Sequence, residues 1–168
     1  MFQELEAKAL GENVFSLFDD RWTLITAGTG AHCNTMTASW GGLGVLWQKN
    51  VATIYVRPQR HTFSFLESSP MFTLSFFGES WREALRWCGS HSGRETDKFA
   101  HCGFHVEEAE GAPYIREAEL VLVCKKLYWN DLEPANMAPE GLRHYNNDYH
   151  RMYIGEIVRV LVKDGSQP

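Results

Sequence analysis

Three stretches of this sequence and one lone histidine carry side chains whose types and spacing could do chemistry. The sharpest is Arg57-Pro58-Gln59-Arg60-His61-Thr62, where two guanidinium groups and a hydroxyl stand immediately before an apolar run with helical spacing. A helix start leaves backbone N–H groups unpaired, its dipole favours negative charge, and Arg can grip phosphate through two N–H groups. The segment therefore suits a phosphate, although a solvated turn with rim salt bridges accounts for the same residues equally well. Ser90, His91, Ser92, Gly93 and Arg94, with Lys98 a turn further on, combine small residues, hydroxyls and cations ahead of a second helical run. They read either as another oxyanion site or as a Gly/Ser turn with ordinary capping.

Asn34, Thr35, Met36, Thr37, Ala38, Ser39 and Trp40 pack amide, hydroxyl, thioether and indole groups into one strand and turn. A planar heteroaromatic ligand needs that mixture, with donors and acceptors along its edge and apolar faces above and below. The alternative is an edge strand whose Thr and Ser face solvent. His150 opens the last long apolar run, where it suits a hydrogen-bond donor or acid at a pocket mouth, or a structural role.

Other chemistries fail on spacing. The third glycine of a dinucleotide fingerprint starting at Gly28 would fall on Cys33, and Gly41-Gly42-Leu43-Gly44 has no following Lys-Ser or Lys-Thr. Those glycines read as a turn, or as a bulge that admits something flat. His32-Cys33, His101-Cys102 and His105 lack zinc-site spacing, so no metal is expected.

The elements that must position these groups are mostly strands. Runs at 22–26, 35–39, 51–56 and 71–77 are β-branched or aromatic and punctuated by Gly, Asn and Pro, and 118–129 and 152–162 are longer alternating runs. Residues 2–10 have the apolar spacing of a short helix stopped by Gly11, and 61–66, 81–87 and 94–101 read as further short helices. Residues 131–148, with two Pro and four acidic residues, form a long surface loop. This order favours a mainly β, antiparallel barrel with peripheral helices over a doubly wound parallel sheet.

At 168 residues and 44% hydrophobic content, residues 1–168 read as a single domain, too apolar for disorder. A net charge of −5 supplies no long-range attraction for nucleic acid or anionic lipid, and no apolar run reaches the ~20 residues of a membrane span. Four cysteines without a C-x-x-C pair, behind an N-terminus lacking the basic and apolar regions of a secretory signal, imply reduced thiols and a cytoplasmic location.

Taken together, these segments resemble the flavin reductase-like family of FMN-binding split-barrel proteins, which includes flavoredoxins and ferric reductase-type proteins. The resemblance rests on residues 34–42, Val56-Arg57-Pro58-x-Arg60-x-Thr62, residues 72–77, residues 88–94 with Asp97-Lys98, and residues 148–157, and spans roughly 22–162. It implies a Greek-key antiparallel split β-barrel with a few short peripheral helices, and a homodimer with FMN near the interface. In the family pattern, residues 34–40 lie along the isoalloxazine ring, with the Asn34 or Thr37 side chain and backbone N–H groups at its pyrimidine edge. Residues matching Arg57, Arg60, His61 and Thr62 surround the phosphate, and Ser90 to Arg94 with Lys98 match a second cofactor-side segment. The pattern His-x-x-Tyr-x-Gly-Glu puts His150 near the flavin and the nicotinamide side, as the catalytic candidate. The implied activity passes electrons from NADH or NADPH through FMN to free flavin, iron or a redox partner protein. The alternative is a non-catalytic FMN-bound carrier reduced by a partner protein. No segment selects between NADH and NADPH, and the resemblance carries no role for Cys33 or the 131–147 loop.

Overall fold

The structure, a computed structural model, describes residues 1–165. Among these residues the strands are β1 Phe2–Leu5, β2 Thr23–Thr29, β3 His32–Ala38, β4 Gly41–Leu46, β5 Lys49–Val56, β6 Met71–Phe76, β7 Val106–Ala109, β8 Ala112–Ile115, β9 Leu120–Asp131 and β10 Arg151–Lys163. The helices are α1 Val14–Asp19, α2 His61–Ser68, α3 Arg82–Ser90, α4 Lys98–Cys102 and α5 Pro139–Leu142. Seven strands follow the order β3-β2-β6-β9-β10-β5-β4, with β1 added on β10, and every pairing is antiparallel. The neighbours β2–β6, β6–β9 and β5–β10 are distant in sequence, so the chain crosses over repeatedly. The fold is the mainly β, antiparallel barrel with short peripheral helices that the strand order predicts, and it agrees with the split barrel that the resemblance implies.

Period-two alternation explains which side chains meet inside. Ile25, Met36, Ile54, Phe72, Leu122 and Tyr153, from six different strands, belong to one inner cluster. The first half of the central strand β9, Leu120 to Cys124, is buried on both faces. Its Leu120, Leu122 and Cys124 point into that cluster, while Val121 and Val123 enter a second one with Leu85 and Cys88 of α3, Phe104, and Ile115 of the β7–β8 hairpin. Helix α3 and the hairpin thus cover the outside of the sheet and place residues 88–98 beside β3.

Three local readings of the sequence are corrected. Residues 2–10 are not a helix: Phe2–Leu5 pairs with Val160–Lys163 of β10, and only Ala7–Ala9 makes a 3-10 turn. A helix this short is marginal in water, whereas β10 offers a row of backbone partners, and Phe2 packs edge-on against Tyr114 at 5.6 Å. Gly41–Leu46 is not a turn but strand β4, paired along β5. A Cβ on Gly41 would collide with the Phe18 ring and lie 2.8 Å from the Thr53 carbonyl oxygen, so the flat group its bareness admits is a side chain of α1. Residues 94–97 precede α4 rather than belonging to it, because the Asp97 side chain accepts from the Ala100 amide and caps the helix there. Helix α1, capped by Asn13, and the β7–β8 hairpin, turning at Glu110 and Gly111 with positive φ, are further elements.

The long loop is present and contains α5 and a 3-10 turn at Pro134–Asn136. It is pinned across the barrel mouth. Asp148 pairs with Arg57 and accepts from Gln59 at 3.2 Å, and the His144 carbonyl accepts from Arg57 at 3.1 Å.

Candidate functional site

Strand β3 ends in a turn, strand β5 ends at the Arg57-Pro58 step, and His150 immediately precedes β10, so the three segments converge on one cavity of about 210 Å³. Met36, Thr37, Ala38, Ser39 and Trp40 form one wall, and Tyr55, Arg57, Arg60 and His150 the rest. Strands β5 and β10 are paired here, with Arg151 opposite Val56 and Met152 opposite Tyr55. Trp40 stands 5.2 Å from the His150 ring and 5.4 Å from His144.

Arg60 also lines a second cavity of about 200 Å³, with His61, Thr62, Ser90, His91, Ser92, Gly93 and Lys98. The two spaces meet at this guanidinium. Arg60 is the residue before α2, whose N-terminus has no side-chain cap, so the first-turn N–H groups lack a side-chain acceptor. The second cavity is cationic: Arg60 and Lys98 line it, and no carboxylate does. Lys98 is 3% exposed and donates to the carbonyl oxygens of Thr35 at 3.0 Å and Cys88 at 2.7 Å. Burial lowers its ammonium to about 8.

The two arginines differ in their partners. Arg57 is neutralised by Asp148, whose carboxyl is held below the usual range by the Asn146 amide and by Arg57 itself. Arg60 Nη2 is buried with no hydrogen-bond partner, and burial, then the charge of Arg57, lowers its pKa. His61 Nδ1 is likewise buried and unpartnered, and burial followed by Arg94 and Lys98 depresses its protonation. An unpaired buried donor is costly, and Arg60 lines the second cavity, so an anion bound there would offer its guanidinium a partner. Arg60 Nη2, the Lys98 ammonium and the uncapped α2 N-terminus fit a phosphate joined to a flat group held against Met36–Trp40.

His150 is 9% exposed, and its Nδ1 lies 2.9 Å from the Tyr145 hydroxyl. Burial and then Arg57 lower its pKa to about 4, so the ring is neutral at pH 7.

The structure therefore gathers Met36 to Trp40, Arg57, Arg60 and His150 in the first cavity, and His61, Thr62, Ser90 to Gly93 and Lys98 in the second. Asn34 and Arg94 lie one step outside, flanking a third space with Gly93 and Lys98. Arg94 donates to the Gln59 carbonyl at 3.0 Å. Asn34 spends its amide hydrogens on Thr62 at 2.9 Å and the Thr35 carbonyl at 3.4 Å, and the Thr37 hydroxyl donates to the Leu85 carbonyl. Both side chains thus brace β3 against α2 and α3. Thr35 is fully buried in the core, with its hydroxyl on the Ile25 carbonyl, and only its own carbonyl reaches Lys98.

Tyr55, Tyr145 and Asp148 were missed as site residues by sequence reasoning. Tyr55 had a signal, since it alternates with the buried Ile54 and Val56 on a strand that leads into Arg57. Asp148 stood at the head of the 148–157 segment that carries the resemblance, without a site role, and Tyr145 had no signal, because it sits in an aperiodic loop that reaches the site only after folding. Beside the first cavity, an apolar groove of about 940 Å³ runs along Phe15, Phe18, Trp40, Leu43 and Tyr145. Among the described residues, no helix is long and apolar enough to cross a membrane, and no group of three or more His, Cys, Asp or Glu could hold a metal.

Comparison with known proteins identifies the fold. The FMN-binding domain of a flavin reductases-like enzyme from Shewanella baltica superposes with a TM-score of 0.68 at 19% identity, covering 96% of this chain and 77% of that one. Flavoredoxin from Methanosarcina acetivorans gives 0.70 at 22% identity, covering 98% and 79%. An NADH:FAD oxidoreductase from Streptomyces globisporus, also solved with NAD and FAD fragments, gives 0.64 at 22% identity, covering 87% of this chain and 76–77% of that one. At these identities the likeness is one of fold. No curated protein matches the chain. The model of the flavin reductase like domain matches residues 15–168, which hold both cavities and the strands that build them, and the chain belongs to that family.

Proposed function

We propose that this protein is an FMN-dependent oxidoreductase that takes electrons from NADH or NADPH and passes them to free flavin, iron or a redox partner protein. The observation that carries the reading is the pair of cavities joined at Arg60, one walled by Met36–Trp40, Tyr55 and His150 and the other cationic, with Arg60 Nη2 buried and unpaired. That is the shape and charge of a flat ring tethered to a phosphate. The Streptomyces oxidoreductase supports a nicotinamide donor.

When bound, FMN supplies a ring that accepts hydride and releases electrons. The chain's own residues bind and orient. Arg60, Lys98 and the N–H groups opening α2 hold the phosphate, while the backbone of Met36–Trp40 meets the ring edge. Trp40 and Tyr55 exclude water, and neutral His150 offers a hydrogen bond without adding charge. Cys88 and Cys124 are buried, and burial pushes the Cys88 thiol up to about 12, so neither serves as a nucleophile.

A homodimer is part of the proposal. Phe15, 86% exposed, edges the apolar groove that runs beside the first cavity along Phe18, Trp40 and Leu43, and a second copy of the chain would cover it. Sedimentation equilibrium tests it.

The deciding experiment is an absorbance spectrum after adding FMN and desalting, followed by anaerobic NADH and then NADPH. Retained flavin bleached by either nucleotide is the expected result and names the donor. Retained flavin bleached by neither makes the protein an electron carrier reduced by a partner. Loss of flavin on desalting overturns the FMN reading.

A further inference from the structure

The loop between β9 and β10 delivers one side chain to His150. Tyr145 Oη lies 2.9 Å from His150 Nδ1, with the two rings 5.4 Å apart at 75°. Tyr145 is itself fixed: its amide donates to the Leu142 carbonyl at 3.1 Å, Arg57 lies 5.3 Å over its ring, and Tyr149 packs at 5.1 Å. The loop carrying it is tied down by Arg57 on Asp148 and by the Leu132 amide on the His150 carbonyl at 3.0 Å.

The direction of the Tyr145–His150 bond follows from the two groups. A phenol O–H is a better donor than a neutral imidazole N–H, and an unprotonated imidazole nitrogen is a better acceptor than a phenol oxygen. Tyr145 therefore donates and Nδ1 accepts, which leaves the single ring proton on Nε2.

We propose that Tyr145 is a positioning residue that locks His150 in the Nε2–H tautomer, making it a neutral hydrogen-bond donor in the wall of the first cavity. The groups around His150 agree with a neutral ring. Arg57 and Arg60 disfavour its protonation, Asp148 favours it but is already paired with Arg57, and Trp40 and Tyr145 supply apolar faces. A ligand atom facing His150 is then an acceptor, such as a carbonyl oxygen or an unprotonated ring nitrogen. This last step rests on the first cavity being the ring site; the tautomer does not.

The test is a long-range ¹H–¹⁵N correlation spectrum of the whole chain with ¹⁵N-labelled histidine, recorded as purified at pH 7 and again after FMN addition. The expected wild-type result is Nδ1 in the unprotonated range and Nε2 in the protonated range, before and after FMN. In Tyr145→Phe the two shifts converge toward a common value as tautomers exchange, while the amide spectrum outside residues 132–150 stays unchanged. A wild-type Nδ1–H tautomer, a wild-type mixture, or an unchanged His150 pattern in Tyr145→Phe overturns the proposal. If the variant does not fold, coupling between the Tyr145 hydroxyl proton and Nδ1 in the wild type decides, and its absence overturns the proposal. A chain that shows the tautomer but retains no FMN separates failure of the cofactor reading from failure of this one.

Discussion

The carboxamide of Asn34 occupies the space over the α-carbon of Gly93, where any Cβ would collide with its Oδ1. The contact joins β3 to the segment that lines the cationic cavity, and the same carboxamide donates to Thr62 on α2 at 2.9 Å. One side chain thus sets the spacing of the three segments around the second cavity.

Gly93→Ala is expected to push Asn34 off Thr62 and destabilise the protein by ~1 to 3 kcal/mol, the scale of overpacking a tight contact. Urea unfolding measures this. FMN affinity, read by flavin fluorescence quenching, falls in the same variant, and unaltered values of both would show that the contact relaxes at no cost.

Arg60 and Arg57 should respond differently to removal. Arg60→Ala weakens FMN binding by ~1.5 to 3 kcal/mol, the size of a charge-assisted hydrogen bond, with little loss of stability because its Nη2 has no internal partner to orphan. Arg57→Ala strips the partner of Asp148 and loosens the loop, so its thermal midpoint falls. Equal FMN affinity for wild type and Arg60→Ala would remove Arg60 from the phosphate site.

His150 predicts a stability loss on mild acidification. Its folded-state value of about 4 lies below the ordinary 6.5, so as pH falls from 6.5 toward 4 the unfolded chain takes up a proton that the folded chain refuses. Its contribution is complete above 6.5 and declines through that window by up to roughly 3 kcal/mol. Denaturant midpoints at pH 7 and pH 5 should differ less in His150→Asn than in wild type, and an identical difference would refute the assignment.

Lys98 predicts the behaviour on the alkaline side. Burial puts its ammonium at about 8 instead of 10.5, so stability of the free protein rises from pH 8 to 10.5 as the unfolded chain sheds a proton already absent from the folded one. A phosphate beside it raises that value, which couples FMN binding to proton uptake. FMN affinity should therefore weaken as pH passes 8, and Lys98→Met should have a weaker but pH-independent affinity over that range. Titrations at pH 7, 8 and 9 in two buffers of different ionisation enthalpy report both the affinity and the proton count.

Much of the molecule was legible without coordinates, where the physics is local. β-Branched and aromatic runs at 51–56 and 71–77, and apolar alternation along 152–162, are properties of adjacent residues, and they alone assign strands. Arg60-His61-Thr62 before an apolar run marks a helix start with cations beside it, again a property of adjacent residues. Residues 2–5 and 41–46 resisted the same treatment because neither is a strand by its own composition. Each becomes one by pairing with β10 or β5, partners that exist only after the chain has crossed over.

The distinction between the two arginines belongs to tertiary structure. Arg57 and Arg60 stand three residues apart and are equivalent as text. Asp148, 91 residues further along, folds onto Arg57 and cancels it, while half-buried Arg60 keeps its Nη2 buried and unpaired. His150 follows the same logic: sequence places a histidine at the head of a strand, but its neutrality comes from burial and from Arg57, and its hydrogen bond from a loop tyrosine. Residue types and local spacing depend on neighbours along the chain. Charge state and hydrogen-bond partner depend on neighbours in space, and only the assembled barrel supplies those.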